Sequence, residues 1–362
     1  MPDTGTDAEA NVDGGWVPAL PVQVTPLRAT DAVGVDPDDP AVWHHPTQPG
    51  QSLIIATNKA AAPGGALVVF DLAGNTLQTI PNLDRPNNVD VETGLALGGT
   101  AVSIAVVTER LQNRLRVFVI DPDTRQLTDV SSPSDLDVFE GEVGDAAAPM
   151  GVALYRRPSD DAIFAVVGRK TGPTEGYLWQ YRLEEVGNSE LVGATKVREF
   201  GHFSGQGEIE AIVVDDELGH VYYADEGDGL HKWHADPEHP NAATELAQFG
   251  TEGFEADREG LGIYAMPNGK GFIVATDQLP NNSRFHLFRR EGTAIDPNDH
   301  SRTVKIIEGS SDLTDGIEVS SVAMGAGLPA GLLVAMNSGG MNFLIYNWVD
   351  IAETGAPVLP LP

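Results

Sequence analysis

The stretch Glu210 to Trp233 reads EAIVVDDELGHVYYADEGDGLHKW. It divides into an apolar run, a polar turn DDELG (215–219), a second apolar run VYYA (221–224), and a third segment that begins GLHKW. Short β-branched and aromatic runs bounded by Asp and Gly read as strands, and a tight polar turn between two of them reads as a hairpin. The runs are short for a helix, and long helical periodicity is hard to find along the chain.

The unit recurs along the chain. LIIA (53–56), IAVV (104–107), FAVV (164–167), VYYA (221–224), FIVA (272–275) and LLVA (332–335) end 51 to 60 residues apart. Each follows another strand-like segment: PAVW, VDVE, GVALY, EAIVV, LGIY or GIEVS. Each precedes a third: ALVVFDL, LRVFVID, LWQYRL, GLHKWHA, FHLFRR or FLIYNW. A lone unit of this kind cannot bury both faces, so the units must stack on one another. Six units of three or more strands predict an all-β fold, a six-bladed β-propeller. A pair of sandwich sheets leaves six copies of one pattern unexplained. No internal linker composition interrupts residues 17–362, which are expected to form one domain. Residues 1–16, MPDTGTDAEANVDGGW, are acidic, polar and Gly-rich, and are expected to be disordered.

Composition narrows the function. With 53 acidic against 22 basic residues the net charge is −31, which repels nucleic acid and anionic membranes and favours cations. There is no cysteine, so disulfides, thiol nucleophiles and thiolate metal sites are excluded. No apolar run reaches the length of a membrane-spanning helix. The N-terminus has neither the basic nor the apolar region of a signal peptide. A secreted or periplasmic monomer whose leader has been removed is the expectation.

In a propeller, the start of each innermost strand and the end of the second strand meet at one rim. The first position carries Asp38 and Asp39, Asn88 and Asp90, Met150, Glu208 and Glu210, Asp257 and Glu259, then Asp315 and Glu318. The second carries Lys59, Arg110, Arg169 and Lys170, then Asp225 and Glu226, Asp277 and Asn337. The expected rim is a carboxylate ring with a cationic patch on one side. Such carboxylates cannot all ionise without compensation. An all-oxygen set suits several Ca²⁺ ions better than Zn²⁺, which prefers His or Cys. Lys and Arg beside the metals suit a phosphate. Asp and Asn are also common turn formers, which is the competing reading of each position alone. His44 and His45 point to opposite strand faces and read as surface or packing residues. DPNDH (296–300) reads as an exposed turn.

The segments DDPAVW, TNK, NNVDVE, EAIVVDDELG, YADE, EGLGIY, NGKGF and TDGIEV resemble those of the β-propeller phytases, calcium-dependent alkaline phytases of bacteria. The resemblance runs from about Asp36 to Trp348. It implies calcium ions clustered at the channel mouth, a metal-bridged water that attacks phosphate, and phytate or another phosphate ester as substrate. Its implied metal ligands are Asp39, Glu210, Asp225, Asp257, Glu259 and Asp315, with Asp38, Asn88, Asp90, Glu226 and Asn337 serving the same or structural calcium. Lys59 and Arg110 match phosphate-holding positions, and Arg169 stands where the family has lysine. Glu210 with Lys59, Arg110 and Arg169 is the expected catalytic group, and Lys170 is added to the substrate-binding set. The chain departs from the family pattern at Met150 (tyrosine in the family), at Ala60 (lysine) and at Lys170 (acidic). The loop EGSSDL is shortened, with Asp312 as a substitute ligand. A 3-phytase-like phosphomonoester hydrolase is therefore expected. The alternatives are a phosphatase or phosphodiesterase for smaller esters, and a calcium-stabilised binding module without activity.

Overall fold

The computed structural model describes residues 20–325 and 327–362, so the expectation for residues 1–16 lies outside the described residues. Six antiparallel sheets follow one another along the chain, each a meander that runs from the axis outward. The first blade is typical: Pro37–Trp43 is innermost, followed by Leu53–Asn58, Gly65–Asp71 and Thr76–Leu83. The innermost strand of each blade contacts that of the next, and the sixth contacts the first, so the ring is closed. The six-bladed propeller read from the repeat is what forms.

The apolar runs of the second strands have a direct cause. Alternate residues of a strand point to opposite faces, and here both faces are cores. Leu53 and Ile55 pack with Val89, Ala105 and Val107 of the second blade. Ile54 and Ala56 pack on the other side with Leu332, Val334 and Ile345 of the sixth. Four further clusters fill the remaining blade junctions. Each fully buried Ile or Leu contributes about 1.5–3 kcal/mol relative to exposure.

Two features were not visible in the repeat. Each blade has an outer fourth strand, only three residues long in the fourth blade, Ala247–Phe249. The sixth blade takes its outer strand from the other end of the chain: Arg28–Ala29 pairs antiparallel with Asn342–Asn347, Arg28 opposite Ile345. Just before it, Val22–Gln23 adds a fifth, parallel strand to the fifth blade. The ring is thus closed by a non-covalent clasp between N- and C-terminal parts. After the last strand a short helix, Trp348–Glu353, seats Trp348 face to face on Tyr264, ring centroids 3.7 Å apart. His300, expected on an exposed turn, is buried instead, within 3.1 Å of Lys232 Nζ.

Candidate active site at the mouth of the channel

Three innermost strands begin alike. Pro37, Pro86 and Pro149 each start a strand, and in each the pairing slips within the next three residues. Proline has no N–H to leave unpaired, and a bulge lets consecutive side chains emerge at the mouth. This is how Asp38 and Asp39, then Asn87 and Asn88, come to the same opening. In the other three blades a loop precedes the strand and brings Glu210, Glu259 and Asp315 to the same level. Two glycines allow the close approach: a Cβ on Gly316 would collide with Asp39 Oδ1, and one on Gly151 would collide with the Glu210 carbonyl.

Lys59 is the hub of one side. Its ammonium lies 2.7 Å from Asp38 Oδ1 and 2.5 Å from Asp315 Oδ2. Burial opposes its charge, but Asp38 and Asp315 outweigh burial and keep it protonated. Gln278 donates to the other Asp315 oxygen at 2.5 Å. Asn87 donates to Glu210 Oε1 at 3.2 Å, and Asn88, with its amide turned to suit its surroundings, does the same. Asp39 accepts from the Val89 N–H at 3.0 Å. Across the mouth, carboxylate oxygens of Glu226, Asp257 and Glu259 lie within 4.8 Å of one another.

Burial together with like charge raises the proton affinity of this ring. Glu210 is pushed up to about 8, first by burial and then by Asp38, with Lys59 pulling the other way. Asp315 and Glu226 are pushed up to about 7, again chiefly by burial and then by Asp38 and Asp257 respectively. Glu259 and Asp39 are raised well above the usual carboxylate range by burial. Deeper in the channel, burial lifts Asp90 to about 7 and Glu318 to about 8.

The cations lie on one side. Lys170 forms an ion pair with Glu208. Burial and the nearby Arg110 lower its proton affinity. Arg110 in turn is depressed by burial and by Arg85. Neither Arg85 nor Arg110 has a carboxylate within ion-pair distance among the described residues, and Arg85 Nε is buried without a partner. Crowded, unpaired cations in a protein of net charge −31 mark a place for an anion.

The second strands end on Asn58, Glu109, Arg169, Asp225, Asp277 and Asn337, and these side chains hold loops. Asp277 accepts from the N–H groups of Glu255 and Ala256, and Asp225 from Ser204 and Gly227. Asn337 accepts from the Asp312 N–H and donates to Asn342, while Asp312 accepts from the Asn281 N–H. Arg169 donates to the carbonyls of Tyr177 and Gly176, and its guanidinium lies over the rings of Phe139, Tyr177 and Trp179. The following residues, Lys59, Arg110, Lys170, Glu226 and Gln278, are the ones at the mouth. Arg85, Asn87 and Gln278 were missed by the sequence reading. Gln278 follows Asp277 at the repeat position of Lys59, and that register is the signal that finds it.

The donor set fits hard divalent cations. Asp38 Oδ2 and Asn87 Oδ1 are buried without a hydrogen-bond partner among the described residues, and the groups around them offer oxygen ligands.

A six-bladed propeller whose mouth carries a buried carboxylate ring beside unpaired arginines defines a class of site suited to cations and phosphate together. Residues 18–354 match the Phytase family. The 3-phytase of Bacillus subtilis (strain 168) is 33% identical over 346 residues, 91% of this chain and 85% of that protein. Among solved structures, BBS1N in complex with ARL6DN is similar at TM-score 0.49 and 10% identity, over 95% of this chain and 99% of that one. The Myceliophteria thermophila Cps50 (Swd1) β-propeller domain is similar at TM-score 0.46 and 10% identity, over 86% and 83%. The chain belongs to the phytase family and is a phytase-type hydrolase.

Proposed function

We propose that the protein releases inorganic phosphate from phytate in a calcium-dependent reaction, as a monomer acting outside the cytoplasm. The observation that carries this reading is the meeting of a buried carboxylate ring with the unpaired Arg85 and Arg110 at one opening. Glu210, Glu226, Asp257, Glu259 and Asp315, with Asp38, Asp39 and Asn88, would hold Ca²⁺ at the mouth, and Asp90 would serve deeper in the channel. When bound, Ca²⁺ supplies the positive charge that lets these groups ionise together and activates water for in-line attack on phosphorus.

The chain's own residues do the rest. Arg110 offers a planar fork for two phosphate oxygens. Lys59 presents an ammonium fixed between two carboxylates, so its position costs no reorganisation as charge develops on the phosphoryl group. Lys170 adds a second ammonium, paired with Glu208. Arg169 supports this patch from behind through its aromatic cage. Smaller phosphate esters are a second reading, favoured by Met150: its side chain is buried and offers no polar group at the rim.

Phosphate release from phytate, measured with Ca²⁺ and with excess chelator, tests the reading. Activity abolished by chelator, restored by Ca²⁺ and lost in Glu259→Gln is expected. Chelator-resistant turnover, or full activity in that variant, overturns it. Turnover of small esters but not phytate selects the second reading.

A further inference from the structure

A second group of possible ligands lies beside the mouth, where the end of the third blade's outer strand, Val192–His202, meets the fourth blade. Asp225, Asp228 and His231 each bring a ligand atom within 4.8 Å of the others. His231 is buried, and its Nδ1 is taken by Glu245 Oε1 at 2.6 Å. Its Nε2 is therefore the free nitrogen, and it is buried without any partner among the described residues. His202 repeats the arrangement: Nδ1 lies 3.1 Å from Glu175 Oε1, and Nε2 lies 3.9 Å from Asp228 Oδ2. The two imidazole rings are 6.2 Å apart.

A carboxylate on Nδ1 fixes the tautomer that leaves the Nε2 lone pair available, the arrangement seen around metal-bound histidines. Two imidazoles with two carboxylates are a donor set for Zn²⁺ or a similar first-row ion; Ca²⁺ takes oxygen ligands. The neighbouring blade supplies an internal contrast. There Asp277 and His286 occupy the equivalent places, with His286 Nε2 3.7 Å from Asp277 Oδ2. The residue three after Asp277 is Pro280, where the fourth blade has Asp228. Among the described residues, neither His286 nitrogen has a hydrogen-bonded carboxylate. The fifth blade holds a buried Asp–His pair; the fourth holds a cluster of three possible ligands, with His202 beside it on Asp228.

We propose that His202, His231, Asp225 and Asp228 form a site for a zinc-class divalent ion, separate from the carboxylate ring and bracing the third blade to the fourth. Asp225 can serve it while still accepting from Ser204 and Gly227, because a carboxylate offers about four lone-pair sites. The proposal does not depend on phytate being the substrate.

The test is calorimetric titration of the metal-free protein with Zn²⁺ in saturating Ca²⁺. One equivalent bound by the parent protein, with affinity about tenfold or more weaker in both His231→Gln and Asp228→Asn and unchanged in His286→Gln, is the expected result. Asp228 is partly exposed, so its variant keeps the test valid if the buried His231 variant does not fold. Failure of the parent to bind Zn²⁺ in excess Ca²⁺ overturns the proposal. So does equal uptake by Asp228→Asn, or loss of uptake in His286→Gln alone.

Discussion

Loading the mouth with calcium should expel protons, and the structure sets how many. Metal ligands bind as carboxylates, yet burial and mutual repulsion keep these groups protonated near neutrality. With pKa raised to about 8, Glu210 is about nine-tenths protonated at pH 7; Glu226 and Asp315, raised to about 7, are each about half protonated. These three release about two protons per protein at pH 7, and Glu259, also raised, adds to that number. By pH 9 the same three groups are almost fully ionised and contribute only about a tenth of a proton. The overall affinity should therefore rise by about two decades per pH unit near pH 7 and flatten towards pH 9. At pH 7 the Glu210 proton alone costs about 1.4 kcal/mol, a tenfold loss of affinity.

Titration calorimetry with Ca²⁺ in two buffers of different ionisation enthalpy reads the proton count directly. Two or more protons at pH 7, falling steeply by pH 9, is the expected outcome. Identical heats in the two buffers at pH 7 would refute the reasoning, since the ring would then be ionised before the metal arrives. An undiminished count at pH 9 would equally do so.

Three other outcomes follow from the same geometry. Without metal, stability should fall as pH rises from about 4.5 to about 8, because the raised pKa of buried Glu318, like those of the mouth carboxylates, makes its protonated form the stabilising one; Glu318→Gln should reduce the slope of chemical-denaturation midpoints across that window, an effect of roughly 5 kcal/mol at most. Arg169→Lys should lower stability by about 2 kcal/mol through lost carbonyl bonds and ring contacts while leaving kcat per folded molecule unchanged, whereas Lys170→Met should leave Tm in place and raise KM. Deleting the chain through Thr30 should strip the sixth blade of its outer strand, at a cost of about 3 kcal/mol or more from lost ladder bonds and exposed apolar edge, and light scattering should report association through Asn342–Asn347.

The fold was legible because a propeller strand is buried on both sides. LIIA, FIVA and LLVA had to be continuous apolar runs, and continuity at a regular period is a strong signal. The clasp was not legible: two-residue strands such as Val22–Gln23 carry no periodicity, and their partners lie nearly a whole chain away. The acidic half of the site could be read because each inner strand begins at the same rim. The cationic half was blurred by one residue. Adjacent side chains at a strand end point in different directions, so Arg169 and Lys170 looked equivalent in sequence while one is caged by aromatic rings and the other faces the mouth. Arg85 gave no repeat signal at all: it lies in the turn before NNVDVE with a positive φ of 60°, and only its proximity to Arg110 exposes its role.

The same one-residue alternation explains how so acidic a mouth is compatible with a stable fold. If the charged residues at the strand ends all faced the channel, nothing would be left to hold the loops that carry Glu210, Asp257 and Asp315. Instead Glu109, Asp225 and Asp277 accept backbone N–H groups from those or neighbouring loops. The next residue in line is then free to face the opening. Support and chemistry are thus assigned to neighbouring residues of one strand, and the supporting carboxylates meet their hydrogen bonds within the protein, whereas the ring at the mouth meets its need with protons until cations replace them. Acid should accordingly empty the mouth without unfolding the blades: below neutrality the ring reverts to its protonated form, and metal affinity is lost while the six interblade cores remain.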